Sequence, residues 1–202
     1  MNISCIALAG GKSTRLGRNK LTEVIGGKTL LNRVLDTLSL FEGEIILVTS
    51  PQSSLPSIAK YPQVRIVNDI FPGTGSLGGI YTGLSASKTH YNLVVACDMP
   101  FLNIGLLRYM IAVSEGNDLV AFNQDDRPEM LHAIYSKNCL KLMKSLIETN
   151  KLRIIGILPH IRVRYISQEE IERFDPQNLS FFNINTEEDL KKAKEIAGVL
   201  TL

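Results

Sequence analysis

The chain has 202 residues, 45% of them hydrophobic, and a formal net charge of +2. That length and apolar content fit one globular domain over residues 1–202 with a core of its own, and the near balance of charge excludes a nucleic-acid-binding face as the organising feature. Cys5, Cys97 and Cys139 have no close spacing, and neither do His90, His132 and His160, so reduced core thiols are expected and neither a disulfide framework nor a zinc site is.

The apolar run 3–8 is too short, and lacks the basic flank, to be a signal peptide, and it reads as a first strand. Further strands are expected at 44–49, 64–67, 91–96, 119–123, 130–135 and 162–166. Helical periods fill most of the gaps: Leu30, Leu31, Val34, Leu35 and Leu38 share one face, and 80–86, 104–113 and 140–147 mark three more helices. Near the end, Thr186 offers a hydroxyl N-cap with Asp189 three residues on, opening a helix that runs through 190–197. The alternation predicts an α/β fold, a Rossmann-like three-layer α/β/α sandwich. The short connection between 119–123 and 130–135 predicts a hairpin, so the sheet should be mixed and mostly parallel. No stretch reaches the roughly 18 apolar residues of a membrane span, and the reduced core thiols lead to the expectation of a cytoplasmic protein.

Two glycine-rich segments follow predicted strands. The first, residues 8–20, reads Leu8-Ala9-Gly10-Gly11-Lys12-Ser13-Thr14-Arg15-Leu16-Gly17-Arg18-Asn19-Lys20 and holds four cations and no acid. Gly10 and Gly11 permit positive φ and close approach of backbone N–H groups, and Lys12, Arg15, Arg18 and Lys20 add positive charge, so the loop suits a nucleoside triphosphate. A solvated basic turn is the plainer reading of the charges alone. The loop is not a Walker A loop: G-x-x-x-x-G-K-S/T would need glycine five positions before Gly11, where Ile6 stands.

The second segment, Asn68-Asp69-Ile70-Phe71-Pro72-Gly73-Thr74-Gly75-Ser76-Leu77-Gly78-Gly79, contains a literal G-x-G-x-x-G, with Asp98 20 residues beyond Gly78. That makes an NAD-binding oxidoreductase a rival. Against it, residues 68–72 separate the strand from the glycines, whereas the dinucleotide turn follows its strand at once. Asp98 ends an apolar run and should stand at the carboxyl edge of the sheet, where it can hold Mg²⁺ through hard oxygen ligands. The plainer readings are a helix N-cap for Asp98 and a turn-forming acid for Asp69.

Residues 8–20 resemble the signature of the molybdenum cofactor nucleotidyltransferases, L-A-G/A-G-x-S-x-R-M/L-G-x-D-K, with Asn19 for the usual Asp. Three more blocks are similar in the family's order. Residues 68–80 resemble D-x(n)-P-G-x-G-P-L-A-G-I with Ser76 and Gly78 as departures, Val95-Ala96-Cys97-Asp98-Met99-Pro100-Phe101-Leu102 its metal-binding strand end, and Phe182-Asn183-Ile184-Asn185-Thr186-Glu187-Glu188-Asp189-Leu190 its closing motif, with Glu187 for Pro. Gly10 leans toward the guanylyl branch.

The resemblance implies transfer of GMP from GTP to a molybdopterin-type phosphate, with Mg²⁺ as cofactor and no nucleic acid or membrane as partner. It also implies transient contact with proteins that supply or receive the cofactor. It assigns Leu8, Ala9, Gly10, Gly11, Ser13, Thr49, Asp69, Gly75, Asn183 and Asn185 to substrate, Lys20 and Arg15 to phosphate charge and catalysis, and Asp98 to the metal. Cytidylyl transfer, another phosphorylated acceptor such as phospholactate, and a nucleotide-binding module without turnover are the alternatives. A turn with satisfied amides is an equal reading of Asn183 and Asn185.

Overall fold

The structure is a computed structural model that describes residues 3–10, 18–51, 53–124 and 127–200. Its centre is β1 (Ser4–Leu8), buried at all five positions because strands flank it on both sides and helices cover both faces. β4 (Ile45–Thr49) and β6 (Tyr91–Ala96) pair with it in parallel, and β5 (Val64–Asn68) adds in parallel to β4 as the edge. On the other side β8 (Arg127–Ser136) pairs antiparallel with β6, β7 (Leu119–Gln124) antiparallel with β8, and β9 (Val163–Ile166) parallel with β7. The sheet order is β5-β4-β1-β6-β8-β7-β9. The expected mixed, mostly parallel sheet is present, and all seven expected strands lie in it.

Alternation along β1 divides the core. Cys5, Ala7 and Ala9 face α1 (Leu30–Leu38) and α3 (Ile104–Ala112), whereas Ile6 and Leu8 face α2 (Ser76–Ala86) and α4 (Cys139–Glu148). These are the three layers. In α1 the five apolar residues of one face are the five buried ones, and Thr29 caps the helix by accepting from Asn32 N at 3.2 Å. Each such burial is worth about 1.5–3 kcal/mol, which holds a nine-residue helix too short to persist alone.

Several small elements were not foreseen. β2 (Val24–Ile25) and β3 (Lys28–Thr29) form a separate hairpin through Gly26 and Gly27, whose φ values of 55° and 77° are those of a primed turn. α5 (Gln168–Glu172) is a short helix with a full capping box at Ser167 and Glu170. The last helix, α6 (Glu187–Leu200), packs Leu190, Ala193 and Ala197 with Ile25, Leu30 and Phe101 in a third cluster. Its capping box is the expected one: Asp189 N donates to Thr186 Oγ1 at 3.1 Å and Thr186 N to Asp189 Oδ2 at 2.8 Å.

All three cysteines are buried thiols, and burial pushes Cys5 and Cys139 up to about 12 and Cys97 higher still. Among the described residues, no helix is long and apolar enough to cross a membrane.

Candidate active site

Parallel pairing brings the carboxyl ends of β5, β4, β1 and β6 to one edge of the sheet. Ladder bonds continue past the strand ends: Ala9 N donates to Val48 O at 2.8 Å, Cys97 N to Leu8 O at 3.1 Å and Asp69 N to Thr49 O at 2.8 Å. Leu8, Ala9, Thr49, Asp69 and Asp98 are thereby placed along that edge. Leu8, Ala9 and Thr49 are buried, while Gly10 is exposed and a Cβ there would meet nothing within 4 Å. Gly10 makes no use of positive φ. Gly11, Ser13 and Arg15 lie outside the described residues.

Lys20 begins a single 3₁₀ turn, Lys20–Thr22, capped by Asn19, whose Oδ1 accepts from Leu21 N at 3.1 Å. The Asn19 amide also donates to Ser54 O, a bond that the carboxylate usual at this position could not make. From this turn the Lys20 ammonium reaches across to Asp98 and bonds Oδ2 directly, with Ile184 O as a second acceptor at 3.5 Å. Asp98 is not a helix cap, because Asn103 caps α3 by accepting from Leu106 N at 3.0 Å. Its second oxygen, Oδ1, is buried without a hydrogen-bond partner among the described residues. A half-satisfied carboxylate at a sheet edge, offering hard oxygens, fits Mg²⁺.

The second glycine segment forms the loop between β5 and α2. Asp69 Oδ1 accepts from Phe71 N at 2.9 Å and from Thr82 Oγ1 at 3.0 Å, so the turn-forming role of Asp69 is present. Gly73 (φ 91°) and Gly75 (φ 68°) occupy the left-handed region that only glycine adopts readily. Gly75 is the N-cap of α2, so the helix starts four residues before the expected 80. Gly78 has no room for a Cβ, which would overlap Thr74 Oγ1 and crowd Phe71 O, and this explains the departure from the family's alanine there.

The closing segment meets the same edge. Ile184 N donates to Asp98 O at 3.0 Å, which ties the segment to the end of β6. Asn183 is half-buried, with its amide donating to Phe181 O at 3.3 Å, and Asn185 is exposed, with its backbone N donating to Asp189 Oδ2 at 2.9 Å. Arg18 bridges Glu23 and Glu187, the latter with Nη1 at 2.5 Å from Oε1, and these bonds raise its pKa.

The sequence reading missed Glu129. The β6/β8 register pairs Val95 with His132, so three residues further along each antiparallel strand Glu129 approaches Asp98. Burial raises the Glu129 carboxyl, a hydrogen bond from Leu131 N lowers it, and the charge of Asp98 raises it again, for a net rise. The signal available in sequence was the parity of 130–135, extended one residue towards the hairpin. His132 itself is fully buried, and desolvation brings its pKa down to about 4, so it is a neutral core residue near neutral pH.

This geometry decides between the nucleotide folds considered. In a dinucleotide fold the glycine turn follows a central strand, and the ribose acid ends the neighbouring one. Here β5 is an edge strand, and β4 and β1 lie between it and the strand that presents Asp98. Known proteins agree with the other reading. A probable molybdenum cofactor guanylyltransferase of Pelotomaculum thermopropionicum is 33% identical over 192 residues, covering 95% of this chain and 92% of its own. A molybdenum cofactor guanylyltransferase of Desulfosudis oleivorans is 34% identical over 195 residues, covering 95% and 94%. The crystal structure of molybdopterin-guanine dinucleotide biosynthesis protein A from Archaeoglobus fulgidus superimposes with a TM-score of 0.84 at 29% identity, covering 97% of this chain and 99% of that one. With the profile of the MobA-like NTP transferase domain matching residues 5–160, the chain belongs to that family.

Proposed function

We propose that the protein transfers GMP from GTP to the terminal phosphate of molybdopterin, with or without molybdenum, releasing pyrophosphate and forming the guanine dinucleotide cofactor. The observation that carries this reading is the meeting of Lys20 and Asp98 at the sheet edge, between the strand end at Gly10 and the loop at Gly75. The curated relatives named above add the guanine and the cofactor.

The acceptor phosphate is largely ionised near neutral pH, since its second pKa is about 6, so its oxygen can attack the α-phosphorus of GTP without a strong base. The new P–O bond forms as the bond to the β-phosphate oxygen breaks, and pyrophosphate leaves with that electron pair. The work of this chain is alignment and charge neutralisation. Lys20, with Arg15, meets charge on the triphosphate. Leu8, Ala9 and Gly10 give the base a flat approach to the strand end, and Thr49, Asp69, Gly75, Asn183 and Asn185 line the rest of the substrate's path. Asp98 would hold Mg²⁺, which supplies charge stabilisation to the phosphate oxygens when bound. A cytoplasmic setting, with handover to and from cofactor-handling proteins, completes the proposal.

The test is thermal unfolding with Mg²⁺ and either GTP or CTP, followed by pyrophosphate release with molybdopterin. GTP at about 100 times its dissociation constant should stabilise by roughly 2.7 kcal/mol, a rise of about 5–10 °C, and CTP should do less. A larger shift with CTP would move the assignment to cytidylyl transfer. GTP binding without pyrophosphate release would make the chain a binding module.

A further inference from the structure

The side chains of Lys20 and Asp98 are only 16% and 17% exposed, and the ammonium bonds the carboxylate directly. Asp98 is the one carboxylate within ion-pair distance of Lys20 among the described residues. Glu129, which interacts with the charge of Asp98, accepts from Leu131 N at 2.8 Å. The groups assigned to phosphate and to metal therefore pair with each other. We propose that Lys20 stands in for the divalent cation in the free protein, and that the metal takes Asp98 only after a triphosphate draws the ammonium away.

Three features support this exchange. A dication at Asp98 would lie beside the Lys20 charge, and at such partly buried positions salt screens that repulsion little. The ammonium has three donors, and its acceptor besides Asp98 among the described residues is the Ile184 carbonyl at 3.5 Å, so triphosphate oxygens offer it stronger, charged partners. The turn under Lys20 is fixed by Asn19, through Leu21 N and Ser54 O, while the four-carbon stem is flexible, so the head can swing without moving the backbone. It follows that Mg²⁺ alone binds weakly and that nucleotide and metal strengthen each other's binding by the same factor.

The inference rests on Asp98 being the metal's carboxylate. It is tested without turnover by titrating Mn²⁺, followed by electron paramagnetic resonance, into nucleotide-free wild type, Lys20→Gln and the double variant Lys20→Gln/Asp98→Asn. Lys20→Gln should bind Mn²⁺ at least about tenfold more tightly than wild type, and the double variant should lose that gain. Equal or weaker binding by Lys20→Gln overturns the exchange. Should Lys20→Gln not fold, nuclear magnetic resonance of the Lys20 ammonium in wild type decides. Its signal should persist with Mg²⁺ alone and move with a non-hydrolysable GTP analogue, and movement with Mg²⁺ alone overturns the proposal. A protein that shows the exchange yet releases no pyrophosphate from GTP would count against the proposed reaction and leave the exchange standing.

Discussion

Asp98 and Asp118 are two aspartates at opposite edges of one sheet, and their surroundings differ in kind. Asp118 precedes β7 and is saturated: Oδ1 accepts from Ser136 Oγ at 3.2 Å and Asn138 Nδ2 at 2.7 Å, and Oδ2 from Arg162 N at 3.0 Å and Nε at 3.3 Å. Those bonds join the starts of β7 and α4, the end of β8 and the approach to β9. Asp98 follows β6 and has, among the described residues, one side-chain partner, Lys20, with Oδ1 left over. A carboxylate whose lone pairs are all spoken for holds a fold together. One that keeps an oxygen in reserve has a place for something else, such as an ion or an ordered water.

The sharpest way to break this comparison is Asp98→Asn. Turnover in the pyrophosphate-release assay should fall by about 10²–10³-fold. Its melting point should fall less than that of Asp118→Ala, since Asn still accepts from Lys20; near-normal turnover would remove Asp98 from the site. Next is Asp118→Ala, which should lower stability by about 2–3 kcal/mol and the melting point by roughly 5–10 °C, with kcat unchanged wherever the protein remains folded. A loss of kcat at low temperature would mean that the two edges are coupled.

Acid titration separates the two acids further. Burial alone would raise the Asp118 carboxyl, but the bonds from Asn138, Arg162 and Ser136 outweigh it and hold the pKa at about 2. The folded value lies below the unfolded one of about 3.9, so this contribution is complete above that pH and disappears as pH falls through about 2. It amounts to about 2 kcal/mol. Denaturant curves of wild type and Asp118→Ala should therefore draw together between pH 5 and 2, and a constant gap would contradict the assignment.

The smallest effect is expected at the exposed pair Arg18–Glu187, with side-chain exposures of 50% and 59%. Glu187→Pro restores the family's residue at the first position of α6, where proline is well tolerated, so the helix should persist. The KM for GTP should change about threefold or less at low ionic strength and not at all in high salt. A change in KM that survives high salt would show that Glu187 acts by more than its charge.

Most of the fold was legible because its signals are local. Apolar runs fixed the strands, the leucines and valine of α1 fixed its buried face, and Thr186 with Asp189 fixed the start of α6. Less was legible where the deciding contact is remote in sequence. That β8 inserts between β6 and β7, bringing Glu129 towards Asp98, depends on pairing between strands rather than on either strand's pattern. Lys20 and Asp98 are 78 positions apart, and Arg18 and Glu187 are 169. The motif placed Lys20 and Asp98 in one site, but nothing in it said that they bond each other. Asn19 reads as a lost charge in the alignment of letters, and only the neighbouring Ser54 carbonyl shows what its amide does.

The glycines of α2 also bear on the order of events when the chain folds. Gly83 lies so close to β1 that a Cβ would overlap Ile6 Cγ2, and with Gly78 and Gly79 it leaves an eleven-residue helix with three residues each costing about 1 kcal/mol relative to alanine. Such a segment has little reason to coil before the strands it rests on exist. β1 and β4 are expected to pair before α2 and the loop from Asp69 to Gly75 acquire their shape. Nucleotide-binding competence is thus among the last properties the chain gains, and in hydrogen exchange during refolding the amides of β1 should be protected before those of α2.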